Sequence, residues 1–271
     1  MRATAVALVV LAACSGPTSG HELGPDAGDD ATADAGACTL PQPAATCDPA
    51  AHPLPNPSCL AEEPGTGGCP PGMVRIAATT PFCIDRYEAS LEGASPYWNP
   101  GASPPRALSR KDAVPQAYIS GTEAQAACTA AGKRLCTDTE WLRACRGPAN
   151  TTYPYGDTRM PGVCNDARAK HPAVEYFGTT DPVIYTMLSH PCLDQLHDSL
   201  DRSGANPGCV TTEGAFDMMG NLHEWTSAAA GTFRGGFYVD TVANGNGCLY
   251  ATTAHDMVYS DYSTGFRCCA D

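Results

Sequence analysis

Clusters of basic residues are missing from this chain of 271 residues. It carries 16 Lys and Arg against 29 Asp and Glu, a formal charge of −13, and its basic residues gather at most in pairs such as Arg110-Lys111 and Lys133-Arg134. Binding to the phosphate backbone of nucleic acid needs many cationic contacts on one face. The composition therefore predicts that nucleic acid is not a partner.

The start of the chain lacks a hydrophobic run long enough to cross a bilayer. The apolar run 3–13 is too short for that but suits the central region of a secretory signal. It ends in Leu11-Ala12-Ala13-Cys14, which resembles the bacterial lipobox, whose cysteine is lipidated and becomes the mature N-terminus. An ordinary signal peptide is the alternative. We expect residues 1–14 to be a lipoprotein signal with Cys14 lipidated, and Ser15 favours the outer membrane.

Cysteine pairs with the spacing of a zinc ribbon or finger are absent, although the chain has 15 cysteines. That number is unusual for a reduced cytosolic protein of this size. With Cys14 set aside, an even 14 remain. The sequence predicts that most of these form disulfides outside the cytoplasm.

Lys and Arg are also absent from residues 15–70, which hold eight Asp or Glu among many Pro, Gly and Ala. Such a composition buries too little apolar surface to offset the entropy of ordering the chain. We therefore interpret 15–70 as an acidic tether, most flexible up to about Ala37. Four cysteines in its second part leave open whether bridges tie that part to itself or to the domain, 71–271.

Long periodic runs are rare in the domain, which predicts an α+β fold with little regular secondary structure and many disulfides. Residues Met73 to Ile76 and 82–88 are expected to be strands, the second half-buried, and 93–105 a long loop. Two capping boxes predict helices: Ser120 with Glu123, and Thr137 with Glu140. In the second helix, Trp141 and Cys145 share a face and should pack inward.

The stretch Gly214 to Thr226 reads GAFDMMGNLHEWT and is expected at the centre of the fold. Gly220 before Asn221 permits a turn with positive φ, and the surrounding apolar residues should bury it. Two interpretations of Asn221 and Glu224 stay open. Either they form hydrogen bonds that hold a buried turn, or they join backbone carbonyls in an oxygen cage for a hard cation such as Ca²⁺.

Six segments of the chain, in order, resemble the formylglycine-generating enzyme family, also called sulfatase-modifying factor domains. They are FCIDRYEAS (82–90), GKRLCTDTEWLRACRG (132–147), YPYGD (153–157), GAFDMMGNLHEWT (214–226), FRGGFY (233–238) and GFRC (265–268). The resemblance implies one domain with a fold related to C-type lectins. It also implies structural Ca²⁺ at two sites. Asn165 and Asp166 match part of one, and Met219, Asn221, Leu222 and Glu224 match the other, some through backbone oxygens.

Catalytic members of this family use O₂ and Cu(I) held by two cysteines, which lie shortly after the segment matching Arg234-Gly235-Gly236. Here 237–247 contains no thiol, and Asp240 stands near the place of the first cysteine. Cys248 comes too late for the second and is expected to pair structurally, so it is only a weak candidate for a catalytic thiol. A carboxylate does not replace a soft thiolate on Cu(I), so bound copper is not expected.

Other residues suggest chemistry less strongly. His223 beside Glu224 could form an acid/base pair, but adjacent residues need not face each other. Cys268 and Cys269 could be a redox couple, although two separate bridges are favoured. Arg234 and Arg267 are expected to satisfy buried carboxylates such as Asp217 or Glu140.

Three functions are compatible with this sequence. The favoured one is a lipid-anchored envelope protein whose domain binds a protein or glycan without catalysis. The alternative is a metal-dependent, O₂-using oxidoreductase of the wider family that acts on a protein or small thiol. A purely structural envelope component is the third.

Overall fold

The computed structural model describes residues 38–41, 46–50 and 54–271. The described residues belong to one compact unit, Cys38–Asp271. The predicted signal, the predicted lipidation site Cys14 and the first part of the predicted tether lie outside them. No helix in the described part of the chain has the length and apolar character required to cross a membrane.

The first sheet has four short antiparallel strands in the order β1-β2-β10-β5. The strands are β1 (Met73–Ile76), β2 (Phe82–Asp85), β10 (Cys268–Ala270) and β5 (Arg134–Leu135). Strand β1 confirms the prediction. The second predicted strand ends at Asp85, and its four residues are all buried rather than alternating. The reason is that β2 lies in the interior of the sheet, between β1 and β10, and contributes residues to the core.

A hairpin and a second four-stranded sheet complete the β-structure. The hairpin pairs β3 (Ala89–Leu91) with β4 (Ala107–Ser109), separated by the predicted long loop. The second sheet has the order β8-β7-β6-β9, with β6 (His223–Trp225), β7 (Phe233–Arg234), β8 (Ala251–Thr252) and β9 (Thr264–Phe266). Strands β6 and β9 run parallel. Strand β6 lies inside this sheet and carries the central segment into the core.

Three helices occur in the described residues: α1 (Gly121–Ala130), α2 (Asp138–Arg146) and α3 (Pro172–Phe177). Both predicted capping boxes are present, so each of the first two helices begins where its cap satisfies free backbone N–H groups. Trp141 and Cys145 are both fully buried, as their spacing predicted. Short 3₁₀ turns occur at Pro182–Thr186, Leu193–Gln195 and Gly247–Leu249.

The segment before β1 lies against the domain and is fixed there by disulfides. Both kinds of bridge that the sequence left open occur, within the segment and between the segment and the domain. Cys38–Cys59 closes the segment on itself, whereas Cys47–Cys192 and Cys69–Cys83 join it to the domain. The Asn56 side chain adds two hydrogen bonds of 2.8 Å to the backbone of Val114. We call residues 54–62 the strap.

Candidate functional site

The central segment turns sharply at Gly220 and Asn221, whose φ angles are 77° and 55°. A Cβ atom at Gly220 would lie 2.2 Å from the carbonyl oxygen of Asn165, so only glycine fits there. The Asn221 N–H donates to that same carbonyl at 2.9 Å. The predicted turn is confirmed, and it binds the central segment to the loop that carries Asn165.

The Asn221 side chain is hydrogen-bonded at both ends. Its Nδ2 donates to Glu88 Oε2 at 2.5 Å and to the Asp201 carbonyl at 3.3 Å. Its Oδ1 accepts from Asn165 Nδ2 at 3.0 Å and from the Asp201 N–H at 2.9 Å. The amide therefore holds the turn by hydrogen bonds, as the first interpretation expects, but its partners lie in three remote segments rather than in the neighbouring backbone. Sequence reasoning missed Glu88, although it lies in the segment 82–90 that carries the family resemblance.

Glu224 forms a fully buried ion pair with Arg267. Its Oε2 accepts from Arg267 Nε and from Trp141 Nε1, and its Oε1 accepts from Arg267 Nη2, all at 2.6 Å. The Glu224 and Arg267 side chains are 1% and 0% exposed. The Glu224 carboxylate of β6 is therefore bonded to Trp141 of α2 and to Arg267, which lies between β9 and β10.

Arg267 satisfies a buried carboxylate, as expected from the sequence, but the partners named as examples, Asp217 and Glu140, were wrong. Arg267 pairs with Glu224, whereas Asp217 accepts a hydrogen bond from the Gly204 N–H at 2.6 Å. Arg234 pairs with Asp138 at 2.5 and 2.7 Å, because β7 lies beside the start of α2. Glu140 forms its ion pair with Arg134.

The interior around the turn contains more carboxylates than cations. Glu88, Asp217 and Glu224 are buried, with Arg267 as their buried cation. Burial and the nearby Asp217 and Glu224 raise the pKa of Glu88 well above its usual range. Burial likewise raises the pKa of Asp217 to about 7. Protonation of these carboxyls relieves the excess negative charge of the cluster.

Three of the side chains predicted to bind calcium, those of Asp166, Asn221 and Glu224, accept hydrogen bonds from protein donors. The Asp166 carboxylate accepts from Arg159 Nη2 and from the Gly162 N–H, both at 2.9 Å, and the Asn221 and Glu224 oxygens are occupied as described. Asn165 Nδ2 donates to the Ser199 carbonyl at 2.7 Å. Within the described ranges, no three His, Cys, Asp or Glu side chains are grouped so as to hold a metal ion. The side-chain oxygens of Asp166, Asn221 and Glu224 therefore all have protein partners.

The loop 237–247 is closed by Asp240. Its Oδ1 accepts from the N–H groups of Val242 and Ala243 at 2.9 and 3.0 Å, and its Oδ2 accepts from the Tyr250 hydroxyl at 3.2 Å. Asn244 Nδ2 donates to the same hydroxyl at 3.2 Å. Asp240 therefore holds the loop together.

Comparison with known proteins identifies the domain. The model of the family described as "Sulfatase-modifying factor enzyme 1-like domain" matches residues 77–271. The chain belongs to this family. The α+β sulfatase-modifying factor fold predicted from the six segments, with little regular secondary structure and many disulfides, is thereby confirmed.

Relatives of this sulfatase-modifying factor domain include proteins named as formylglycine-generating enzymes and proteins named as inactive. It is 27% identical over 183 residues to the "Inactive C-alpha-formylglycine-generating enzyme 2" of Mus musculus, covering 64% of this chain and 54% of that protein. It is 29% identical over 188 residues to the "Formylglycine-generating enzyme" of Mycobacterium tuberculosis, covering 62% and 55%. The chain thus spans about half the length of these relatives. Among solved structures, PvdO from Pseudomonas aeruginosa superposes with a TM-score of 0.45 at 13% identity, covering 72% of this chain and 82% of PvdO.

All 14 cysteines of the sulfatase-modifying factor domain and its N-terminal segment are in disulfides. Cys248 pairs with Cys145, as expected for a structural cysteine. Cys268 and Cys269 form separate bridges, to Cys128 and Cys136. The described residues therefore offer no thiol for catalysis or for Cu(I).

His223 is part of an aromatic cluster in the sulfatase-modifying factor domain. Its ring lies 4.7 to 5.3 Å from those of Phe233, Phe237 and Tyr250. Burial lowers its pKa to about 3, so the ring is neutral. Glu224, next to it in β6, is bound to Arg267 and Trp141. Adjacent residues of a strand point to opposite faces, which explains why the two form no acid/base pair.

Proposed function

We propose that this chain is a lipid-anchored envelope protein whose sulfatase-modifying factor domain lacks copper oxidase activity and binds a protein or glycan ligand. The lack of copper oxidase activity is inferred from the cysteines, which are all in disulfides in the described residues. Cys248 is bonded to Cys145, and Asp240 uses its carboxylate to close the loop 237–247. Cu(I) requires soft thiolate ligands, which the described residues do not offer. The likeness to a relative whose name describes it as inactive supports the same proposal.

The test is turnover of a sulfatase-derived peptide with the motif Cys-x-Pro-x-Arg. The purified, copper-supplemented protein is incubated with this peptide in air, and mass spectrometry follows the conversion of its cysteine to an aldehyde. We expect none, whereas the Mycobacterium tuberculosis enzyme serves as the positive control. Turnover would contradict the proposal.

If turnover occurs, a matched pair of variants locates it. Cys145→Ser and Cys248→Ser both remove the same disulfide, but only the first leaves a thiol at position 248. Activity in Cys145→Ser and not in Cys248→Ser would identify Cys248 as the catalytic thiol. Stoichiometric copper or iron in the purified protein would likewise favour the oxidoreductase alternative.

The anchoring part of the proposal rests on Leu11 to Cys14 and on the tether that follows. Acylation of Cys14 would hold the chain at the membrane without a transmembrane helix. Mass spectrometry of the membrane fraction should show a lipid-modified N-terminal cysteine. A mature chain with unmodified Cys14, or one that starts elsewhere, contradicts this.

We propose that structural calcium is held through backbone oxygens near the turn, because the side-chain oxygens of Asp166, Asn221 and Glu224 accept hydrogen bonds from protein donors. A bound ion stabilises the folded state by about 2.7 kcal/mol when its concentration is a hundredfold above Kd. Chelator should then lower the melting temperature, and added calcium should restore it. An unchanged melting temperature after verified metal removal would contradict structural calcium, and hydrogen bonds alone would then hold the turn.

A further inference from the structure

A groove separates the strap from the β3–β4 hairpin. Its volume is about 660 Å³, and both walls contribute side chains to it. The strap precedes residue 77, where the family match begins. One wall of the groove therefore lies outside the residues that the family model matches. We call it the strap groove.

The walls of the strap groove are largely apolar. The apolar residues that line it include Leu54, Pro55, Pro57, Leu60 and Leu108. Leu54 is 79% exposed and lies at the rim of the groove. No aromatic ring is among the lining residues of the described chain. Sugar rings commonly stack on aromatic faces in lectin sites, so this lining favours an apolar peptide over a glycan.

Arg110 lies in the lining of this groove and is 5% exposed. Its Nε and Nη2 donate to Ser90 Oγ at 3.2 and 3.0 Å, and its Nη1 donates to the Leu60 carbonyl at 3.4 Å. These acceptors are neutral, and no carboxylate of the described residues lies within ion-pair distance. Burial lowers the pKa of Arg110, although the charges of Glu62 and Glu92 act in the opposite direction. A guanidinium has five N–H donors, so some remain available.

The two carboxylates that line the groove are already paired. Glu92 binds Arg106 through two bonds of 3.0 and 2.8 Å at the exposed rim. Glu62 accepts from Lys133 Nζ at 3.3 Å and from the Ser109 N–H at 2.9 Å. Arg110 is therefore the cation of this lining that lacks a carboxylate partner at contact distance.

We propose that the strap groove binds a peptide segment with apolar side chains and a carboxylate, and that Arg110 pairs with this carboxylate. The apolar walls take the side chains of the peptide, and the guanidinium selects its charge. A carboxylate that pairs with a largely buried cation is less screened by solvent, so this contact contributes more than one at the exposed Arg106. This proposal rests on the proposed binding function and names protein rather than glycan as the ligand.

The test uses three synthetic pools of random hexapeptides on the immobilised, oxidised mature chain. The first has free C-termini and no Asp or Glu, the second has amidated C-termini and includes Asp and Glu, and the third has no carboxylate at all. The retained fraction is measured by mass spectrometry. We expect apolar sequences of the first or second pool to be retained about tenfold better than the third, the ratio typical of one charge-assisted contact. The comparison of the first two pools identifies a terminal or a side-chain carboxylate.

Variants connect retention to the groove. Arg110→Met should abolish the preference for carboxylate. Because that variant changes a buried residue, Leu54→Asp at the exposed rim is the second test and should reduce retention about tenfold. Val258→Asp is its matched control, since Val258 is 71% exposed and does not line the groove. Equal retention of all three pools, or equal loss in Leu54→Asp and Val258→Asp, overturns the proposal.

Failure of this inference is distinguishable from failure of the proposed function. Saturable binding to a glycan array without retention of peptides overturns the strap groove and leaves a non-catalytic binding protein. Turnover of the Cys-x-Pro-x-Arg peptide overturns the proposed function, whatever the groove retains.

Discussion

At the scale of single residues, Arg267 is the cation on which the buried carboxylate cluster depends. We predict that Arg267→Met destabilises the protein by about 3–5 kcal/mol, because it leaves Glu224 buried without a cation. Chemical denaturation of the purified protein measures this. Arg106→Met is the control, because its ion pair with Glu92 is half exposed and should contribute about 0–1 kcal/mol.

A double variant separates the unpaired charge from lost packing. Arg267→Met with Glu224→Leu removes both charges, so it should be more stable than Arg267→Met alone. Equal or lower stability of the double variant would show that Glu224 is not the group that makes the single substitution costly.

Asp194 provides a prediction about pH at a site remote from the turn. The side chain is fully buried, its Oδ1 accepts from the Tyr238 hydroxyl at 2.9 Å, and its Oδ2 has no partner among the described residues. Burial raises its pKa well above the usual range. The folded state therefore binds a proton more tightly than the unfolded state, whose pKa is about 3.9. The stability from this group is present below that value and is lost as the pH rises through the folded pKa.

Asp194→Asn keeps the acceptor for Tyr238 but does not titrate. The free energy of unfolding of the wild type, relative to this variant, should fall as the pH is raised from 4 to 8. Urea denaturation across that range measures the difference, and the other titrating groups cancel because both proteins contain them. A difference that stays constant with pH contradicts a buried, protonated Asp194.

At the scale of elements, the turn at Gly220 requires glycine for two reasons, its positive φ angle and the lack of space for a Cβ atom. Gly220→Ala should cost clearly more than Gly162→Ala. Both glycines have a φ near 80°, which costs an alanine about 1–2 kcal/mol. A Cβ at Gly162 would meet nothing within 4 Å, whereas one at Gly220 would clash with the Asn165 carbonyl at 2.2 Å. Similar losses in the two variants, measured by thermal unfolding, would mean that the Asn165 loop moves away freely.

Elements that depend on local chemistry could be predicted from the sequence. The two capping boxes place their side chains three residues apart, so the pattern alone indicated where α1 and α2 begin. The Gly220-Asn221 turn is local in the same way. Partners remote in sequence were missed or wrong: Arg234 reaches Asp138 across 96 residues, and Asn221 reaches Glu88 across 133. Charge and burial predicted that such groups need partners, but only the packing of β6, β7 and α2 decides which ones.

At the scale of the whole molecule, disulfides supplement a core built from short elements. The longest strands have four residues, and the longest helix has ten. The high number of cysteines predicted that most of the 14 form disulfides. Which ones pair could not be predicted, because each bridge depends on the fold that brings its cysteines together. Cys128–Cys268 and Cys136–Cys269 connect the last strand to the first half of the domain, across 140 and 133 residues.

The last prediction compares a long bridge with a short one. Cross-linking restricts the unfolded chain more when the closed loop is longer, by about 4.7 kcal/mol for a loop of 100 residues and about 3 for one of 15. Cys128–Cys268 closes a separation of 140 residues and is buried, whereas Cys38–Cys59 closes 21 in the N-terminal segment. Replacing Cys128 and Cys268 by alanine should therefore lower the free energy of unfolding more than replacing Cys38 and Cys59. Thiol counting under denaturing conditions verifies that the other bridges are intact in both variants. A larger loss from the short bridge would mean that fixing the N-terminal segment, rather than closing the core, limits the stability of this domain.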